Sequence, residues 1–147
     1  MVTISGRNAR RALHGMLNIV SGEFVSVVRD RMRGEDAAAA VEALAAVRPG
    51  IAKLLVWDNA PPHHTRLARQ AAEAAAIEIA WLPFRSPELN PLEDLWRRLK
   101  AVVAANRAYD TVDELAERAL VWFDHLIPPD ILRYTGLTSS KFAWLTT

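Results

Sequence analysis

The sequence predicts one α/β domain: a mixed β-sheet flanked by helices. Three observations predict it. Two apolar, β-prone runs lie on either side of Ser21-Gly22. A short, wholly apolar run, KLLVW, occupies 53–57, and Ala-rich stretches alternate with strand-like runs through the middle of the chain. Alternation of strand and helix implies a parallel portion of sheet, and an opening hairpin makes the whole sheet mixed. At 147 residues the chain is about one domain long.

The elements follow in order. Residues 11–20 (RALHGMLNIV) and 23–29 (EFVSVVR) read as two strands of a hairpin, joined across Ser21-Gly22. Gly34 and Pro49-Gly50 bracket an Ala-rich helix over 35–47. The run at 53–57 is the kind of strand that a parallel sheet buries on both faces, and it ends at Asp58. Pro61-Pro62 impose a turn, and Thr65 is placed to cap a second Ala-rich helix over 66–76. IEIAWL (77–82) is a further strand, closed by Pro83. A third helix is expected from Pro91 to about Ala105, and a fourth from Thr111 to a stop before Pro128-Pro129. Residues 130–147 carry no clear pattern. No internal repeat or low-complexity linker interrupts the order β-β-α-β-α-β-α-α, so 1–147 reads as one domain.

Composition narrows the function classes. Apolar residues make up 51% and charged residues 24%, a globular profile. No apolar run reaches the roughly 18 residues of a membrane span, and MVTISGRNARR lacks the apolar segment of a secretory signal. No membrane partner is therefore expected. The absence of Cys excludes disulfides and thiolate zinc sites, and fits a reducing cytoplasm. Net charge is only +1. The cations are grouped, however: Arg7, Arg10 and Arg11 at the start, and Arg97, Arg98 and Lys100 further on. Such clusters either lie on solvated faces or neutralise phosphates.

Two acidic motifs carry the chemistry. VWDNAPPHHT (56–65) puts Asp58 where a buried strand runs out into a loop, the edge at which α/β sheets usually bind ligands. The same Asp-Asn pair would equally end a strand by accepting backbone N–H bonds. LPFRSPELNPLEDLWRRLK (82–100) offers Asn90 as an N-cap, Pro91 at the first helical position and Glu93 at the third, so Glu93 either completes a capping box or faces a ligand. Leu92, Leu95, Trp96, Leu99 and Val103 form the apolar stripe of that helix. Arg97 and Lys100 share the face of Glu93, either pairing with it or joining it around one polar ligand. Two carboxylates beside cations and His63 make a hard-oxygen site suited to magnesium or manganese and to phosphate substrates. His14 and His125 read as packed or surface histidines. Trp122 and Phe123 read as core or dimer packing, on a helix opened by the Thr111-x-x-Glu114 box.

Residues 59–92, 34 in number, separate Asp58 from Glu93. With that spacing, the pair of motifs resembles the second and third acidic blocks of mariner-type DDE transposases and their bacterial insertion-sequence relatives. Asp58, Asn59 and His63 match the first of these blocks. Ser86, Pro87, Leu89, Asn90, Pro91, Glu93, Trp96, Leu99 and Lys100 match the second. The resemblance implies an RNase H-like fold and metal-dependent DNA strand cleavage and strand transfer. Asp58 and Glu93 would be catalytic acids and ligands of two Mg2+ or Mn2+ ions. It also implies DNA, both transposon ends and target, as partner; Asn59, His63, Arg85, Arg97 and Lys100 are the candidate contacts, with His63 otherwise hydrogen-bonding to fix its loop. Self-association, or pairing with a full-length transposase as a dimer, and action in the bacterial cytoplasm at the nucleoid are implied as well.

The sequence departs from the family's pattern at one place. The family's first Asp sits on a strand ahead of the hairpin, and MVTISGRNAR, which precedes the hairpin here, holds no acid. Asp30, Glu35 and Asp36 follow the hairpin and are poor substitutes. Two carboxylates are expected to bind metal weakly, so the alternative function is a catalytically inactive fragment that binds DNA or pairs with full-length transposase. Without the first strand, the strands at 11–20 and 53–57 each lack a neighbour. They are expected to pair with each other, to borrow residues 1–5 as a strand, or to recruit another chain.

Overall fold

The computed structural model describes residues 1–5, 10–105 and 111–145. Arg7, part of the basic cluster expected at the start, lies outside the described residues. The chain opens with three antiparallel strands, β1 (Val2–Ser5), β2 (Arg10–Leu17) and β3 (Phe24–Arg29), in the order β1-β2-β3. Val2 faces Leu13 across the first pair, and Leu17 faces Phe24 across the second. Residues 2–5 thus serve as a strand, one of the three arrangements expected. The β2–β3 turn is longer than two residues. Asn18 Oδ1 accepts the N–H groups of Val20 and Ser21, and Gly22 closes the turn at φ +78°, where a side chain would also strike the Pro128 carbonyl.

Helix α1 (Gly34–Ala46) follows. Asp36 anchors its start, accepting from the Arg33 N–H at 2.9 Å and from Arg29 Nε at 2.8 Å. A second sheet pairs β4 (Lys53–Trp57) with β5 (Ile77–Trp81) in parallel, in register from Lys53↔Ile77 to Trp57↔Trp81. Between them run a 3-10 turn over Pro61–His64 and helix α2 (Arg66–Ala74), capped by Thr65 Oγ1 as the sequence indicates. After β5, a loop leads to α3 (Leu92–Ala105), then α4 (Val112–Asp124), α5 (Pro128–Tyr134) and a final 3-10 segment over Ser140–Leu145. Thr111 and Glu114 form the expected capping box, each side chain bonded to the other's backbone N–H.

Helices and sheets bury two cores. Val2, Ile4 and Leu13 of the first sheet pack against Leu95, Trp96 and Leu99 of α3 and Phe123 of α4. The apolar stripe read from the sequence of α3 is therefore the face that buries, and Leu95 and Leu99, fully buried, each contribute about 1.5–3 kcal/mol by leaving water. Leu55, Trp57 and Ile79 of the second sheet pack against Val41 of α1 and Ala72 of α2. The opposite face of β4 is open: Leu54 is 61% and Val56 51% exposed. No strand-to-strand hydrogen bonds join the two sheets among the described residues, so β4 has a pairing partner on one edge only.

Candidate metal-dependent nuclease site

Asp58 leaves the carboxyl end of β4, the sheet edge predicted for it. Its carboxylate is held rather than loose. Oδ1 accepts the Ala60 N–H at 3.1 Å and lies 2.8 Å from His63 Nδ1. Burial would raise the Asp58 pKa, but the hydrogen bonds from His63 and from the Ala60 N–H outweigh it and hold the carboxyl below its ordinary range. The Asp58 side chain remains 37% exposed, so a ligand can reach it.

Glu93 lies in the first turn of α3 and is half-buried. Asn90 opens that helix, its Oδ1 accepting the Leu92 N–H at 3.0 Å and its carbonyl accepting the Glu93 N–H at 3.1 Å. The reciprocal half of a capping box, from the Glu93 side chain back to the Asn90 N–H, is not among the hydrogen bonds of the described residues. The expected pairing of Glu93 with Arg97 is not formed either. Arg97 Nη1 bonds Asp94 Oδ1 at 2.7 Å instead, and Lys141 Nζ reaches Asp94 Oδ2 at 2.8 Å. Asp94, not Glu93, pairs with Arg97, and Lys141 of the final 3-10 segment joins it.

Asp58 and Glu93 both act through space on the Met1 amino group. The Met1 amino group is buried where both carboxylates reach it electrostatically. Burial lowers its pKa, while Asp58 and Glu93 pull in the opposite sense. Carboxylates are the hard oxygen donors that a divalent ion prefers. Among the described residues, no group of three or more His, Asp or Glu side chains is placed to hold one. The other early acids are engaged elsewhere: Asp30 with Arg11 at 3.4 Å, Glu35 with Arg33 at 3.8 Å, and Asp36 with Arg29.

The remaining candidates are distributed as follows. His63 is 2% exposed, its ring stacked on Trp57 at 3.9 Å. His64 stacks on Trp81 at 4.1 Å, and its Nε2 meets Asn59 Oδ1 at 2.9 Å. The Asn59 amide donates to the Leu82 carbonyl, tying the turn to the end of β5. Arg85 is exposed in the loop before α3, in the left-handed backbone region at φ +56°. Arg97 and Lys100 are exposed on α3. Sequence reasoning missed the aromatic stack. Its signal was present, since both parallel strands end in Trp (KLLVW and IEIAW) and register brings the two rings to 6.1 Å.

The chain is similar to known proteins in sequence and in fold. The model of a family described as "DDE superfamily endonuclease" matches residues 2–116. The chain belongs to that family. The Tc3 transposase of Caenorhabditis elegans is 39% identical over 64 residues, which are 43% of this chain and 20% of that protein. The crystal structure of the Mos1 mariner transposase catalytic domain superposes with a TM-score of 0.74 at 17% identity, covering 97% of this chain and 76% of that one. A structure of the same catalytic domain with raltegravir and Mg gives 0.71 at 18% identity, with 97% and 77% coverage. A chain of the simian T-cell lymphotropic virus intasome, in complex with a PP2A regulatory subunit, gives 0.69 at 19% identity, with 86% and 46% coverage. The fold is RNase H-like, as the sequence motifs implied. The chain spans 20% of the Tc3 transposase and 46% of the intasome chain. No helix among the described residues is long and apolar enough to cross a membrane.

Proposed function

We propose that this chain is the part of a DDE transposase catalytic domain that carries two of its metal-binding acids, Asp58 and Glu93, and that it serves metal-dependent DNA strand cleavage and strand transfer. The observation that supports this reading is the placement of Asp58 at the carboxyl end of β4 and of Glu93 in the first turn of α3, both within the segment that matches the family. Asp58 and Glu93 would hold Mg2+ or Mn2+. When bound, such ions activate the attacking oxygen and stabilise the leaving oxygen at phosphorus. The chain's own part is to present the two acids from a strand end and a helix start, elements that packing keeps rigid. Arg85, exposed in the loop before α3, and Arg97 and Lys100, exposed on α3, would take DNA phosphates, with Asn59 beside Asp58; His63, expected as a contact, is buried and offers none.

The test is Mn2+-dependent nicking of supercoiled plasmid by the full chain. Asp58→Ala and Glu93→Ala should each abolish it. Nicking that survives both substitutions would remove the site from the chemistry.

A second reading has its own support. With no three-residue ligand group among the described residues, a catalytically inactive fragment that binds DNA or pairs with full-length transposase also fits. It predicts plasmid binding, or a complex with the longer protein, without nicking.

A further inference from the structure

We propose that His63 is a positioning residue for Asp58, fixing one carboxylate oxygen so that the other is presented to a cation. The proposal rests on the metal-binding reading of Asp58 and deepens it. His63 Nδ1 lies 3.0 Å from the Asp58 carbonyl oxygen and 2.8 Å from Asp58 Oδ1. Both atoms are acceptors, so Nδ1 carries the hydrogen and donates to both. Oδ1 also receives the Ala60 N–H. With Oδ1 held by two donors, rotation of the carboxylate is blocked and Oδ2 is the oxygen left for a ligand. At 2% exposure the His63 ring has no free edge to offer a DNA phosphate, so its contribution runs through Asp58.

The ring itself is held by the sheet. It lies against Trp57 at an interplanar angle of 17°, and Trp57 lies beside Trp81, its partner in the parallel register. His64 closes the far end of the same stack on Trp81. The direction of the Asp58 carboxylate is thus set by strand pairing through a row of four rings, with Pro61-Pro62 limiting the turn that carries both histidines.

The hydrogen bonds also fix the second tautomer. The Asn59 amide nitrogen donates to the Leu82 carbonyl, so Asn59 Oδ1 is the atom facing His64 Nε2. His64 must therefore carry its hydrogen on Nε2, the opposite nitrogen from His63.

Two measurements test this. The first is a long-range proton–nitrogen NMR spectrum of the labelled full chain at about pH 8, where an ordinary imidazole is neutral. It should show His63 protonated on Nδ1 and His64 on Nε2. The second is Mn2+ affinity by electron paramagnetic resonance, with circular dichroism to verify folding. His63→Phe keeps a flat ring for Trp57 but has no donor, and should weaken Mn2+ binding about tenfold or more. His63→Asn, whose amide nitrogen stands near the place of Nδ1, should stay within about threefold of wild type, short of the loss of a positioning bond. A His63 ring protonated on Nε2, or His63→Phe binding Mn2+ as wild type does, would overturn the proposal. If the wild-type chain binds no Mn2+ at all, the metal-binding reading falls, and the tautomer spectrum alone decides whether His63 holds Asp58.

Discussion

Replacing His14 should change how the stability of this chain depends on pH. His14 sits on β2, 3% exposed, with its Nε2 buried and unpartnered. Burial, with help from the Met1 amino group and His63, lowers its pKa from 6.5 to about 4, while Asp36 and the Arg31 carbonyl oppose the change. A depressed native pKa means that the unfolded chain takes up the proton first. The part of the stability linked to His14 is therefore complete above 6.5, starts to fall below it, and is wholly lost only below about 4. At about pH 5 the unfolded His14 is almost wholly charged and the native one mostly neutral, a difference of about 2 kcal/mol. That would lower a urea midpoint by about 1 M relative to pH 8.

His14→Asn removes the titrating group while keeping an amide donor near the Arg31 carbonyl. The variant pays for a small cavity at every pH, but that is an offset and not a slope. The Met1 amino group, whose pKa is also lowered, acts with the same sign in both proteins and cancels. Asp36 and Asp58, held below 3.8, add their own loss only at lower pH. Urea unfolding of both proteins at about pH 8 and about pH 5 should therefore show the wild type losing about 2 kcal/mol more than the variant. Parallel losses would refute the reasoning.

Three further outcomes follow from packing and charge. Gly15→Ala would drive a methyl into the rings of Trp96 and Phe24, and should cost about 1–3 kcal/mol, read as a lower melting temperature; an unchanged temperature would mean that β2 and α3 are not in close contact. Asp36→Ala removes bonds from Arg29 and from the Arg33 N–H. It should cost about 1–2 kcal/mol at neutral pH, discounted because Arg29 is 42% exposed, and the deficit should vanish in acid as the native carboxyl protonates below 3.8. Arg97→Ala breaks an exposed pair with Asp94 and should change stability by less than about 0.5 kcal/mol, so a weaker, less salt-dependent plasmid affinity in a binding assay would report a lost phosphate contact.

The elements that were legible in the sequence are those set by local rules. The strand at 53–57 and the Thr65 and Thr111 caps depend on residues within one turn or one pleat of each other, and the structure has them where the pattern put them. Misreadings came where a side chain or a distant segment intervened. The strand expected to reach residue 20 stops at Leu17, because Asn18 binds the N–H groups that a sheet ladder would use and leaves Ile19 and Val20 exposed. Helical spacing allows Arg97 either to pair with Glu93 or to share a ligand with it, and the pairing is not the one formed among the described residues. Arg97 turns to Asp94, where Lys141, 47 residues away, also arrives, and no local pattern shows that approach.

The site divides along the same line. That Asp58 and Glu93 lie at a strand end and a helix start is a matter of spacing and could be read directly. Which way Asp58 points is not, because it depends on a ring stack assembled across two strands. The adjacent histidines, alike in sequence, are turned to opposite tautomers by acceptors that only the folded turn supplies: Asp58 for one, Asn59 for the other. A motif can therefore name the residue, while the register between Trp57 and Trp81 sets the ring stack against which its histidine partner lies.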